Sequence, residues 1–134
     1  MRFSTKTTYG LRALIYLTNQ PAKQSVPLSA IAQAEKISQK YLEIIFASLK
    51  KANLVKSSQG AGGGYHLARP AKEISVFEII KALEKNMNVF HCVDEHGKVY
   101  CSQACHCGVT LVLAKVQQAV NQSLRSLKLS ELVK

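Results

Sequence analysis

The chain has 134 residues, 47% of them hydrophobic, with 18 lysines and arginines against 8 acids and a formal charge of +10. That length favours one compact domain able to bury about two-thirds of its unfolded surface without disulfides, and the composition excludes a disordered tail. No apolar run approaches the ~20 residues of a membrane span, and the polar, basic stretch from Met1 to Tyr9 lacks the apolar core of a signal peptide, so a cytoplasmic chain without a membrane partner is expected.

Thr7 to Thr18 reads as a helix despite Gly10, with Tyr9, Ala13 and Tyr16 on one face and Leu14 and Leu17 beside it. Asn19 to Pro27 holds two prolines among polar residues and is a loop. Leu28 to Ala34 is a short helix with Leu28, Ile31 and Ala32 inward, started by Pro27 or capped by Ser29. After a turn at Glu35 to Ile37, Ser38 caps a stronger helix to about Lys51, with Tyr41, Ile44, Ile45 and Leu49 at helical spacing. Leu54 to Ser57 and Tyr65 to Ala68 read as two short strands around a glycine-rich turn, Ser58 to Gly64. Ser75 to Glu84 is amphipathic, with Val76, Ile79, Ile80 and Leu83 on one face.

From Asn86 to Cys107 there is no period, and a loop of this length in a compact domain is often functional. Val109 to Leu127 is the longest periodic segment, with a stripe of Val109, Leu113, Val116, Val120, Leu124 and Leu127, and Gln117, Gln118, Asn121 and Gln122 off it. Such a stripe packs either on its own domain or, where the helix projects, against a second copy; a homodimer is expected.

Helix, short helix, turn, helix and hairpin is the order of a winged helix-turn-helix. The fold expected is thus mainly α with a small β wing and a long C-terminal dimerisation helix. The DNA-binding unit takes residues 1–85, a cysteine-rich sensor loop 86–108, and the dimerisation helix with its tail 109–134. The charge agrees with that division: residues 1–85 hold 13 basic and 5 acidic side chains, residues 86–134 only 5 and 3. A positive field of this kind favours a polyanion. The second helix of the pair enters the major groove with its N-terminal residues leading. Here these are Ser38, Gln39, Lys40 and Tyr41, which offer a hydroxyl, an amide and an ammonium to base edges and phosphates. The turn SQGAGGGYH lacks the lysine and hydroxyl of a P-loop, so a wing touching DNA fits it better than a nucleotide cradle. No Ser/His/Asp pattern, acid pair or cofactor motif argues for an enzyme.

The run from Ile37 to Glu84, together with MRFSTKTTYGLRAL at the start and LKLSELV near the end, resembles the Rrf-two family of bacterial winged-helix regulators. Its most specific parts are Tyr41 to Glu43 (YLE) and Gly60 to Tyr65 (GAGGGY). The resemblance implies a homodimer on a near-palindromic double-stranded operator, usually as a repressor. Ser38 to Tyr41 and Glu43 would face the major groove, and the wing tip around Gln59 and Gly60 the minor groove. Two departures stand out: Gln59 where the family often has arginine, and Ile44 where it often has a polar residue.

All four cysteines, Cys92, Cys101, Cys105 and Cys107, fall within sixteen residues. In a reducing compartment this argues for a metal, cluster or redox site over a disulfide framework. The resemblance implies an iron–sulfur cluster, 2Fe–2S or 4Fe–4S, on Cys92, Cys101 and Cys107. Cys101 and Cys107 keep the family's common gap, while the gap from Cys92 is longer. One branch has a histidine ligand where this chain has Thr110. The fourth ligand is therefore open among Cys105, His106, His91 and a residue of the other subunit. Zinc on the same ligands, thiol oxidation without metal, and control by a partner protein are the alternatives. His96 reads as a solvent-exposed loop residue, and His66, in the wing, as a phosphate contact or surface residue and not a ligand.

Overall fold

A computed structural model describes residues 3–21, 24–60, 62–84, 86–88 and 108–133. Among these, five α-helices and one antiparallel strand pair follow in the order α1 (Thr5–Thr18), α2 (Leu28–Glu35), α3 (Gln39–Lys51), β1 (Val55–Ser58), β2 (Gly64–Leu67), α4 (Val76–Leu83) and α5 (Gly108–Ser126). Two short 3-10 turns, Ala71–Glu73 and Leu129–Leu132, precede α4 and follow α5. This is the mainly helical winged-helix architecture that the sequence suggests.

Capping residues set most of the boundaries. Ser4 accepts a hydrogen bond from the Thr7 amide, which starts α1 two residues before its apolar period begins. Ser75 and Glu78 form a reciprocal capping box at α4. At α2 neither Ser29 nor any other side chain caps the helix; Pro27 occupies the N-cap. Lys36 closes α2 in the left-handed region with φ 55°, which makes the sharp turn into α3.

The core is built from α1, α2, α3, α4 and the start of the hairpin, with Leu14, Ile31, Leu42, Ile45, Phe46, Leu49 and Ile79 fully buried. The inward face of α3 is thus Leu42, Ile45, Phe46 and Leu49, and not the face carrying Tyr41 and Ile44. The two faces differ by one residue of rotation, and only the observed one keeps strict i, i+3, i+4, i+7 spacing. Gly10 is explained by packing. It lies where α1 crosses α4, and a Cβ there would overlap Leu83 Cδ1.

The sheet pairs Val55 with Leu67, Lys56 with His66, Ser57 with Tyr65 and Ser58 with Gly64. Val26 adds one bridge to Tyr65, with backbone hydrogen bonds of 2.9 and 2.8 Å. Gly64 has φ 148°, and a Cβ there would overlap the Val26 carbonyl, so glycine is required at this junction. The Tyr65 ring lies 4.8 Å from that of Phe46, joining the hairpin to the core.

The chain end is pinned as well. Val76 donates to the Leu127 carbonyl at 2.8 Å, Leu129 donates to Ile74 at 2.9 Å, and the Leu129 side chain is fully buried. A second small apolar cluster of Val76, Phe77, Ile80 and Met87 receives Leu124 of α5. None of the described helices is long and apolar enough to cross a membrane.

Candidate functional site

The outer face of α3 is set by what its inner face buries. With Leu42, Ile45, Phe46 and Leu49 turned inward, Ser38, Gln39, Lys40, Glu43 and Ile44 are left exposed along the first two turns. Ser38 Oγ accepts from the Tyr41 amide at 3.2 Å, so the helix start is capped and its remaining first-turn amides face outward beside Gln39 and Lys40. Tyr41 is half-buried, its ring edge-on to Tyr9 with centroids 5.8 Å apart, and Arg12 stacks over Tyr9 at 5.5 Å. Tyr41 therefore braces α3 on α1 from the border of the exposed face. Ile44, grouped by helical spacing with the inward residues, is 52% exposed instead.

The wing follows this helix in the chain. Gln59 and Gly60 are exposed, and Gly60, at φ 98°, accepts from the Gly63 amide at 2.9 Å to close the turn. Lys50 Nζ donates to Ser57 Oγ at 2.8 Å, tying the last turn of α3 to β1. The hairpin is thus anchored to the C-terminal end of α3. His66, opposite Lys56 on the wing, is half-buried with Nδ1 3.5 Å from Ser25 Oγ.

The charge on this surface is largely uncompensated. Only two ion pairs occur among the described residues, Arg12–Glu35 at 3.2 Å and Arg69–Glu78 at 2.7 Å. Lys36, Lys40, Lys51 and Lys56 enter neither, and Glu43 is the single acid of α3. Lys6 Nζ reaches Ser48 Oγ at 2.9 Å from the α1 side. The two carboxylates with shifted pKa values lie elsewhere. Burial pushes the Glu84 carboxyl up, but hydrogen bonds from Thr7 and the Ser4 amide, with Lys6 nearby, outweigh it and hold the group below its ordinary value of 4.5. Burial likewise raises Glu78, and hydrogen bonds from Ser75 and Arg69 bring it below that value. Both acids hold the fold together: Glu84 Oε1 receives Thr7 Oγ1 at 2.6 Å and the Ser4 amide at 2.7 Å, joining the start of α1 to the end of α4.

The second candidate region begins where α4 ends. Cys92, Cys101, Cys105 and Cys107, with His91, His96 and His106, lie outside the described residues. The flanks of that segment are described. Gln117 Nε2 donates to the Met87 carbonyl at 3.0 Å and to Asn121 Oδ1 at 3.0 Å, with both amides buried. Of the four polar residues expected off the apolar stripe, Gln117 and Asn121 are thus buried, while Gln118 and Gln122 are exposed. Thr110 is buried too. The expected stripe is split: Leu124 packs on its own domain, Leu113 and Val120 are half-buried, and Val109 and Val116 remain exposed. Leu111 and Val112, which lie outside the stripe, are 64% and 59% exposed. Periodicity marks the helix but cannot say that a backbone carbonyl thirty residues away will draw its glutamine inward.

A cleft of about 420 Å³ lies between the end of α1 and β2, lined by residues including Leu17, Thr18, Gln20, His66 and Arg69. Its guanidinium is engaged by Glu78, and Thr18 and Gln20 bond to α1 carbonyls, so few polar groups remain there to recognise a small ligand.

The chain and its fold are similar to known proteins. The signature of the Rrf2 family, described as iron-dependent transcriptional regulators, matches residues 3–134. Over its full length the chain is 31% identical to the HTH-type transcriptional regulator IscR of Vibrio atlanticus, covering 76% of that protein. Among solved structures, CymR, described as the global cysteine regulator of B. subtilis, matches with a TM-score of 0.81 at 30% identity, over 98% of this chain and 95% of that one. T. potens IscR matches with a TM-score of 0.75 at 34% identity, over 98% of this chain and 85% of that one.

Proposed function

The chain belongs to the Rrf2 family of transcription regulators, and on that premise we propose that it is a homodimeric repressor whose operator binding answers to its C-terminal cysteines. The observation that carries the DNA-binding part is the exposed start of α3, with Lys36, Lys40 and Lys51 exposed on or next to that helix and Lys56 exposed on β1, none of them in the ion pairs among the described residues. In this reading Ser38, Gln39, Lys40, Tyr41 and Glu43 meet the major groove, and Gln59 and Gly60 reach the minor groove. Gln59 cannot supply the cation that a narrow minor groove favours, so the wing adds shape and backbone contacts more than charge. The protein acts where its operator is, in the cytoplasm, and as a regulator, not an enzyme.

The dimer part rests on α5. Val109, Val112 and Val116 repeat at helical spacing and stay exposed, while the buried side of the same helix carries Thr110, Gln117 and Asn121. A second copy covering those valines gives a twofold arrangement that matches a near-palindrome. Residues 1–85, 86–108 and 109–134 then divide into DNA binding, sensing and dimerisation.

The donor set suits an iron–sulfur cluster: Cys92, Cys101 and Cys107 as thiolates, with Cys105 or His106 as fourth ligand. A cluster there would supply a redox-responsive and displaceable centre. The protein's own contribution is the link through Met87, whose carbonyl is held by Gln117, so that a change in segment 86–108 bears on α4 and α5 together. A second reading, thiol oxidation without a cluster, is supported by the similarity to Staphylococcus aureus CymR, of which an oxidized form has been solved.

Footprinting on a duplex selected from a random pool tests the DNA-binding part. Two protected half-sites about one helical turn, ~10 base pairs, apart are expected. No enrichment from the pool, or a single unsymmetrical patch, contradicts the reading. An absorption spectrum with iron and sulfide analysis of anaerobically purified protein separates the sensing readings. A brown protein with matched iron and sulfide supports the cluster, and a colourless one that binds DNA supports the thiols. A fully loaded Cys101→Ala variant contradicts the ligand assignment.

A further inference from the structure

Of the large apolar side chains that the described residues leave exposed, all but two lie on α5 or directly after it; the two are Phe3, near the N-terminus, and Ile44. We propose that Ile44 is a specificity-determining residue that recognises the 5-methyl group of a thymine in the major groove. This rests on the DNA-binding reading above.

Ile44 belongs to neither of the buried apolar clusters. Its neighbours in sequence, Leu42, Ile45 and Phe46, are fully buried and make the core contacts of this helix, while Ile44 stays 52% exposed. It sits among polar groups on the surface assigned to DNA, with Lys40 one turn before it, Glu43 beside it and the small, exposed Ala47 after it. Ser48, one turn on, is already engaged. Its hydroxyl accepts from Lys6 Nζ at 2.9 Å and turns back to the Ile44 carbonyl at 3.4 Å, so it does not compete for the same base edge. A β-branched side chain in a helix is nearly fixed at χ1, so Ile44 presents a rigid apolar knob with little entropy left to lose on binding.

The chemistry of the groove then narrows the partner. Purine edges show only hydrogen-bonding groups there, cytosine shows an amino donor, and thymine alone carries a methyl group. Any polar edge placed against Ile44 loses water without gaining a hydrogen bond, which disfavours it. A thymine methyl gains from the same contact. In unmodified synthetic DNA thymine is the only base with a 5-methyl group, so the interaction can be removed one atom group at a time.

The experiment uses the full-length protein and its selected duplex, with each thymine of one half-site replaced in turn by deoxyuridine. Wild type is expected to lose about fourfold in affinity at one thymine per half-site, the worth of one buried methyl group. Ile44→Ala, which should fold because the residue is exposed, is expected to bind thymine and uracil duplexes equally at that position. Wild-type binding that is indifferent to every substitution, a selected half-site with no thymine, or an Ile44→Ala protein that keeps the full sensitivity would each overturn the proposal while leaving DNA binding intact. Failure to bind any selected duplex would overturn the DNA-binding reading and the proposal with it.

Discussion

The winged-helix body and the α5 arm follow opposite rules. The body buries Leu14, Ile31, Leu42, Ile45 and Phe46 and keeps lysines such as Lys40 and Lys56 outside. On α5, Thr110, Gln117 and Asn121 are buried while Val109, Leu111, Val112 and Val116 are exposed. Burial of an amide costs free energy unless its hydrogen bonds are met, and here they are met by the Met87 carbonyl and by the Gln117–Asn121 pair. The body is therefore complete in one chain. The arm is held to its own chain by these polar contacts and by Leu124, and leaves Val109, Leu111, Val112 and Val116 exposed.

The sharpest way to break this contrast is a charge on the arm. Val112→Asp should leave the monomer folded, because Val112 is exposed there, yet weaken a dimer by roughly a hundredfold or more by placing a carboxylate in each copy of an apolar interface. Sedimentation or light scattering would read the shift to monomer. An unchanged mass would move the interface off this face.

A smaller effect is expected in the body. Glu84→Gln removes the charge that receives Thr7 and the Ser4 amide, and should cost about 1–2 kcal/mol in urea unfolding at neutral pH. The sign of its pH dependence follows from the depressed carboxyl. The stabilisation is present above the ordinary value of 4.5 and is lost as the pH falls through the lower folded value. The gap between wild type and variant should therefore narrow in acid, and a gap constant with pH would show that the hydrogen bonds do not depend on the charge.

The smallest effect is local to the site. Ser38→Ala removes the cap at Tyr41 and should cost about 1 kcal/mol. Urea unfolding would show it, and DNA affinity would fall as the first turn of α3 frays. A loss of stability with full affinity would place the DNA contacts beyond that turn.

How far the sequence anticipates the structure differs between the two regions in the same way. In the body, periodicity locates α1 and α4, and periodicity with the Ser38 cap locates α3, to within two residues, because these signals are local; the Ser4 cap, which starts α1 at Thr5, precedes the apolar period and is not legible from it. On α3, spacing alone admits two neighbouring faces, and the one through Tyr41 and Ile44 is the wrong one; the strict i, i+3, i+4, i+7 set runs through Leu42 and Phe46. The wing is legible because its glycines have a backbone reason, as Gly64 beside Val26 shows. The arm is less legible. Its helix is evident, but which side turns home depends on the Met87 carbonyl, a partner without a sequence signature. The residues proposed to face DNA can be named from their position after the turn, whereas the role proposed for Ile44 emerges only once its exposure is seen.

The central claim is that the exposed start of α3 meets DNA, and the salt dependence of binding tests it most directly. For wild type on a selected duplex, the logarithm of affinity should fall linearly with the logarithm of salt concentration. Lys40→Ala should reduce that slope by about one for each phosphate left without its lysine, hence about two for a twofold dimer. An affinity and slope both unchanged in Lys40→Ala would contradict the placement of this helix in the groove.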